Sequence, residues 1–376
     1  MQPPSATLKP KEERRIQRGH LWAYRNEFSQ LPELNDGDVV DVFSANRRFV
    51  GRGFYQADGG IAVRLLSYHQ EEIGREFLEQ RIRTARLLRE TFYPNQSIYR
   101  WIFGESDGLP GFVADRYDTV VSVQSSCAFY EPRAEELADL FLNTPGVEGV
   151  QFLLGRGKHC FGTVPGTFTL NLDGLQIGMD LAHGQKTGMF LDQRLNSQAM
   201  RPFAKGARVL DGHCYIGLWS CHAGKAGAVS VLGVDTSEKA IEQARVNAER
   251  NGLSGRCQFE CADIETVLAR GNTYDLILLD PPALAKSRAH LTKALSRYQA
   301  LNERAMTMVE PGGILISSSC SHFVEPPAFL DMLKRAAVGA GRQVVLLEFR
   351  GAPPDHPILL SMPEASYLKC ALLRIG

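Results

Sequence analysis

Three patterns of apolar and polar positions succeed one another along the chain. Up to about residue 70, short apolar runs such as Val39-Val40-Asp41-Val42-Phe43, Phe49–Tyr55 and Ile61–Leu66 are punctuated by Gly and Asp. That pattern predicts a compact barrel of short strands. Over 71–95, Ile73, Phe77, Ile82, Ala85, Leu87 and Leu88 recur at helical spacing among arginines, and Pro94-Asn95 closes the helix. The dense turn signal Gly104–Gly111 follows, then paired strands at 112–116 and 120–124, a helix at about 131–143 and a strand near 148–154. A hairpin is expected from 167–172 and 175–181, turning on Asp173-Gly174. These elements predict an α+β unit. From about residue 185, strand-like runs at 207–210, 230–234, 257–261, 275–280 and 313–317 alternate with helical patterns at 217–226, 237–251, 263–270 and 292–309. Such alternation predicts a parallel sheet flanked by helices. Two further β-like stretches lie at 343–349 and 367–373. The fold class expected is α/β, with domains at 1–70, 71–184 and 185–376.

Composition narrows this little. A chain of 376 residues suits two or three domains of about 100–200 residues each. Forty-two basic and 42 acidic residues cancel, which excludes a uniformly basic coat but allows a local patch. One candidate patch is Lys9, Lys11, Arg14, Arg15, Arg18, His20 and Arg25 around Trp22 and Tyr24. It suits RNA through phosphate pairing and stacking, or equally a solvated surface over core aromatics. No apolar run reaches about 18 residues, so no membrane span is expected. The eight cysteines form no C-x-x-C pair, and no signal peptide opens the chain. Free thiols in a reducing cytoplasm are the expectation, with no metal site.

The chemistry concentrates in the last third. Ligands of an α/β sheet gather at the carboxyl ends of its strands. Four acidic residues fall there: Asp211, Asp235, Asp263 and Asp280. Asp235 stands near the spacing at which a carboxylate accepts hydrogen bonds from ribose hydroxyls, and Asp263 is placed to meet an adenine. The first loop, Asp211-Gly212-His213-Cys214-Tyr215-Ile216-Gly217, lacks both the three-glycine pyrophosphate fingerprint and the lysine of a P-loop. A nucleoside without phosphates fits better. S-adenosylmethionine is the common one, and its cationic sulfonium and amino group suit an acidic loop.

Two residues form the expected substrate half. Asp280-Pro281-Pro282 fixes a carboxylate in an extended loop. Enzymes that methylate an exocyclic base nitrogen usually follow such a motif with an aromatic residue, and Ala283 stands here instead. Cys320 ends the apolar run Gly313–Ser319, beyond the fifth strand. A thiolate adding to C6 of a pyrimidine makes the otherwise inert C5 nucleophilic. Asp280, if it carries a proton, can hydrogen-bond N3 of cytosine and accept the developing charge. The alternative is that Cys320 is one more small core residue.

With these residues in view, the chain resembles the ribosomal large-subunit methyltransferase I family, S-adenosylmethionine-dependent enzymes that form 5-methylcytosine in 23S ribosomal RNA. The resemblance covers nearly the whole chain. It rests on Gly104–Gly111 with Asp115-Arg116-Tyr117, on the stretch from His183 to Arg194, and on Asp280-Pro281-Pro282, Ser319-Cys320-Ser321, Asp355-His356-Pro357 and Tyr367-Leu368-Lys369. It implies an N-terminal PUA-like RNA-binding domain, a central α+β domain and a C-terminal Rossmann-like class I methyltransferase domain, with homodimers common. It also implies Cys320 as nucleophile aided by Asp280. Asp211, Tyr215, Gly217, Asp235 and Asp263 would line the cofactor, with Gln193 and Arg194 at its methionine end or at the target base. The chain departs from the family's Phe-Ser-Tyr-Thr-Gly first loop with His213-Cys214-Tyr215-Ile216-Gly217, and has Gln299 where a lysine is usual. A guanine-N7 branch lacks the cysteine after the fifth strand, so Cys320 favours carbon methylation. Two alternatives stay open: methylation of another base atom with Cys320 structural, and an RNA-binding assembly factor without turnover.

Overall fold

The structure, a computed structural model, describes residues 2–155, 157–181, 188–285 and 287–376. Residues 183–187 of the stretch singled out above, and with them the expected boundary at 184, lie outside the described residues. The chain forms two compact units. One comprises Met1–Thr167, Asp180–Leu191 and Pro354–Ala365; the other comprises Phe168–Met179, Asp192–Pro353 and Ser366–Gly376.

The first unit holds two sheets. Six short strands pair in the order Trp22–Tyr24, Ile61–Ser67, Phe49–Tyr55, Val39–Phe43, Ser5–Leu8, Phe28–Gln30. Their alternating apolar residues, among them Leu8, Val40, Val42, Val63 and Leu65, close a core over Ile16. Gly53 stands at a register shift against Leu65, where a Cβ would lie 2.1 Å from the Arg64 carbonyl oxygen. Only glycine lets the strands approach so closely. The second sheet runs Gly157–Gly162, Gly149–Leu154, Val120–Ser125, Phe112–Tyr117, Ile98–Phe103. The helices Arg75–Phe92 and Ala134–Leu142 belong to its core, where Trp101, Phe112, Phe129, Tyr130 and Phe141 interlock.

The helix Arg75–Phe92 departs from its apolar pattern in one respect. Phe77, Ile82 and Ala85 are buried as expected, but Leu87 and Leu88 are exposed while Arg89 is fully buried. Arg89 reaches both carboxylate oxygens of Asp107, at 2.6 and 2.7 Å, and the Asp355 carbonyl at 2.8 Å. The Asp355 carboxylate in turn accepts the Arg100 backbone N–H and contacts His356. The Gly104–Gly111 signature therefore supplies the counterion of a buried cation. Arg89→Met leaves Asp107 buried without its partner. Its expected cost is about 3–5 kcal/mol of stability in denaturant unfolding.

In the second unit seven strands form one sheet: β1 (Arg208–Gly212), β2 (Ser230–Asp235), β3 (Cys257–Cys261), β4 (Tyr274–Leu279), β5 (Val309–Ser319), β6 (Val344–Arg350) and β7 (Lys369–Ile375). Their order is β3-β2-β1-β4-β5-β7-β6. Neighbours from β3 to β5 are parallel, and β7 is antiparallel to both β5 and β6. After the short helices Arg194–Ala199 and Arg201–Ala204 come α1 (Leu218–Lys225), α2 (Glu238–Arg250), α3 (Ile264–Leu268), α4 (Leu291–Met308) and α5 (Pro326–Gly339). The strand order reverses between β1 and β4, which makes the carboxyl ends of these two strands the switch point of a Rossmann-like α/β fold. The expected hairpin forms from Thr167–Leu172 and Leu175–Asp180.

Candidate active site

The loop after β1 is shaped by backbone conformation. His213 and Tyr215 adopt left-handed φ values of 64° and 48°, and Gly217 one of 76°. At Gly217 a Cβ would also sit 3.0 Å from Ala244 on α2 and from Phe259 on β3. Gly217 thus lets α1 start hard against its neighbours, the packing role of the last glycine in a nucleotide-binding turn. Strained non-glycine residues in such a loop are a mark of a binding site.

Asp211 is 1% exposed inside β1. The Ser220 hydroxyl on α1 donates to its Oδ2 at 2.6 Å, while Oδ1 has no hydrogen-bond partner among the described residues. Burial pushes its carboxyl up to about 7. Asp235, at the end of β2, accepts the Tyr215 backbone N–H at 3.0 Å and the Ser237 N–H at 2.9 Å. It thereby fastens the first loop to the second strand and keeps lone pairs on both oxygens. Asp263 is exposed and caps α3, accepting from the Glu265 N–H at 2.8 Å. Asp263 thus serves as a helix cap, Asp235 as a link between loop and strand, and Asp211 is wholly inside.

Asp280 follows β4 directly. Its backbone N–H donates to the Gly212 carbonyl at 3.3 Å, which ties the two switch-point strands. The Gln193 amide donates to its Oδ1 at 2.8 Å, and Gln193 is itself held by Asn196 at 2.7 Å. Burial and the charge of Asp192 push the Asp280 carboxyl up to about 7, against hydrogen bonds from Gln193 and Trp219. Asp192 accepts the Tyr367 hydroxyl at 2.6 Å. The Nε and Nη2 of Arg194 bracket Asp173 of the hairpin at 2.7 and 2.6 Å.

Cys320 follows β5, half-buried, with its Sγ 3.9 Å from the Pro281 carbonyl oxygen. The flanking serines are clamped by Tyr298 of α4, whose hydroxyl lies 2.9 Å from Ser321 Oγ and 3.1 Å from Ser319 Oγ. Ser321 Oγ also receives the Ala285 N–H, fastening the Cys320 turn to the Asp280 loop. Lys369 of β7, paired with Ser319, donates its ammonium to the Ser321 carbonyl at 2.7 Å. The cysteines Cys221, Cys257 and Cys370 are buried, and burial pushes all three thiols upward, Cys257 and Cys370 to about 12. Cys320, by contrast, is only half-buried.

The clamp by Tyr298 and the nearness of Lys369 were not read from the sequence. The signal for them was the pair of hydroxyls, Ser319 and Ser321, that flank Cys320 at the end of an apolar strand, since buried hydroxyls usually find partners.

Comparison with known proteins agrees with this geometry. A family model described as S-adenosylmethionine-dependent methyltransferase matches residues 159–374, and one described as a PUA-like domain matches residues 6–68. A candidate S-adenosylmethionine-dependent methyltransferase from Streptococcus mutans shares the fold, with a TM-score of 0.86 at 19% identity over 99% of this chain and all of that one. Fold and site thus define an S-adenosylmethionine-dependent methyltransferase. Ribosomal RNA large subunit methyltransferase I of Shewanella denitrificans is 35% identical over 98% of each chain, and that of Photobacterium profundum 32% over 95% of this chain and 96% of its own. The chain belongs to the ribosomal RNA large subunit methyltransferase I family.

The residues present fit the cofactor. S-adenosylmethionine carries an ammonium group, and the orphaned Oδ1 of buried Asp211 is an acceptor in need of a donor. Asp235 offers carboxylate lone pairs beside a loop that carries no phosphate cradle.

Proposed function

We propose that this chain is an RNA methyltransferase forming 5-methylcytosine in 23S ribosomal RNA, by way of a covalent bond between Cys320 and pyrimidine C6. The observation that carries the reading is the 3.9 Å approach of Cys320 Sγ to the carbonyl of Pro281, within the motif that bears Asp280. A sulfur so placed meets the requirement for activating an aromatic carbon. The names of the relatives supply the ribosomal RNA, and the exposed Lys9, Lys11, Arg14 and Arg18 supply cations for its phosphates.

In this mechanism the Cys320 thiolate adds to C6, and the ring electrons pass toward N3, where protonated Asp280 donates a hydrogen bond. Gln193 orients Asp280 through its amide. Asp211, Tyr215, Gly217 and Asp235, with Asp263 at the margin, would hold S-adenosylmethionine, which would supply an electrophilic methyl group to C5 and leave as S-adenosylhomocysteine. Loss of the C5 proton to a base then expels Cys320 and restores aromaticity. Arg194, paired with Asp173, braces the hairpin.

The test is incubation of the protein with labelled S-adenosylmethionine and RNA from a strain lacking the protein, with the product base mapped by mass spectrometry. Label on another base atom overturns the carbon reading, and RNA binding without label overturns the enzyme reading. Asp235→Ala should weaken cofactor binding about 10- to 100-fold by calorimetry, the worth of a charged hydrogen bond. An unchanged affinity removes Asp235 from the pocket.

A further inference from the structure

Strand β7 reads Lys-Cys-Ala-Leu-Leu-Arg-Ile, and its one wholly buried charged residue is Lys369, 1% exposed. A methionine would fill such a site without the cost of desolvating an ammonium. The ammonium is held in place by two carbonyls, those of Ser321 at 2.7 Å and Tyr367 at 2.6 Å. Neither carbonyl carries a full charge. The first belongs to the residue after Cys320, and the strand partner of Lys369 is Ser319, the residue before it. The cation is therefore docked on the backbone that presents the thiol.

We propose that Lys369 is a positioning residue that holds Cys320 as its reactive thiolate. The inference rests on the reading of Cys320 as the nucleophile. Burial lowers the Lys369 pKa to about 8, and the charge of Cys320 is what raises it again. At neutral pH the ammonium is still the main form. The coupling is reciprocal: a cation that gains from a neighbouring thiolate also favours the loss of the thiol proton to solvent. Among the described residues, the other ionisable groups nearby include Tyr298 of α4, whose hydroxyl contacts Ser319 and Ser321, Asp280 in the loop against the sulfur, and His322 two residues on. Burial raises the Tyr298 pKa, which favours its neutral form.

The experiment is alkylation of the full-length protein by iodoacetamide between about pH 5.5 and about pH 9.5, with the Cys320 peptide quantified by mass spectrometry. Exposed Cys160 in the same digests provides the reference. Wild-type Cys320 should titrate at least one unit below the ordinary thiol value of about 8.5. Lys369→Met should raise that midpoint by one unit or more, an approximately tenfold loss of alkylation rate at neutral pH. Lys369→Arg should keep the low midpoint, and repeating the series with Asp280→Asn removes the titration of that carboxyl. A wild-type midpoint at or above about 8.5 overturns the proposal; so does an unmoved midpoint in a Met variant with wild-type circular dichroism. If the Met variant does not fold, the wild-type profile decides alone. Failure of the nucleophile reading shows separately, as methyl transfer that survives Cys320→Ala.

Discussion

Cys320→Ala protein should transfer methyl groups to RNA at a rate lower by on the order of 10⁴-fold or more, the scale on which removal of a covalent nucleophile acts. C5 of an intact cytosine is too poor a nucleophile to be alkylated without addition at C6, so no other group of the site makes up the loss. Cys320→Ser should recover little, because a serine hydroxyl is scarcely ionised at neutral pH. Cofactor affinity is the control. Asp211 and Asp235 stand at β1 and β2, and the binding of S-adenosylmethionine should stay within about twofold of wild type, well under the worth of one hydrogen bond. RNA with 5-fluorocytosine at the target position should accumulate as a covalent complex with wild-type protein, since the C5 proton whose loss expels the sulfur is absent. The alanine variant should form none. Full methyl transfer by Cys320→Ala would return the sulfur to the status of a core residue.

What the sequence discloses of this site follows from how local each signal is. The five parallel strands are legible because each is an apolar run closed by turn residues, and the carboxylates at their ends mark the switch point by position alone. Helix α5 is not legible: Pro326-Pro327 and Gly339 read as punctuation. Both prolines sit in its first turn, where the missing N–H groups would have had no helical acceptor. Leu87 and Leu88 mislead for a different reason. A buried ion pair takes the core position that an apolar residue would claim, and a pattern of apolar spacing has no means of showing Arg89 with Asp107.

The aromatic patch near the N terminus shows the same limit. Trp22 donates its indole N–H to Glu105 and lies under the Arg64 guanidinium at 5.3 Å, while Tyr24 lies under Arg15 at 4.7 Å. One face of each ring is already covered by an arginine of the same chain, so the aromatic half of the patch reads as packing. The exposed cations keep the electrostatic half. Lys369 illustrates the opposite case. It lies 48 residues from Ser321 and joins it only because β7 returns antiparallel beside β5. A topology that brings the chain back across the sheet edge is what completes the site, and spacing along the sequence does not reveal it.

Asp280→Asn should lower methyl transfer by about 10²- to 10⁴-fold, the usual span for a group that handles a proton in the transition state. The amide can still donate a hydrogen bond to N3 but cannot release a proton to it. The pH dependence separates this from a structural defect. With its carboxyl pushed up to about 7, Asp280 is protonated below that point and charged above it. Wild-type kcat/KM should therefore fall as pH rises through about 7, and this descending limb should vanish in Asp280→Asn. Stability should report the same group with a definite sign. The folded pKa lies above the ordinary carboxyl value of 3.8, so the contribution of this carboxyl is full below the unfolded value and is lost as pH rises through about 7. The asparagine variant carries no such loss. Relative to wild type it should gain on the order of 1 kcal/mol of stability between about pH 6 and about pH 8.5, measured by denaturant unfolding. A gap between the two proteins that stays constant over that interval would mean that Asp280 is ionised throughout, and the proton offered to N3 would have to come from another group.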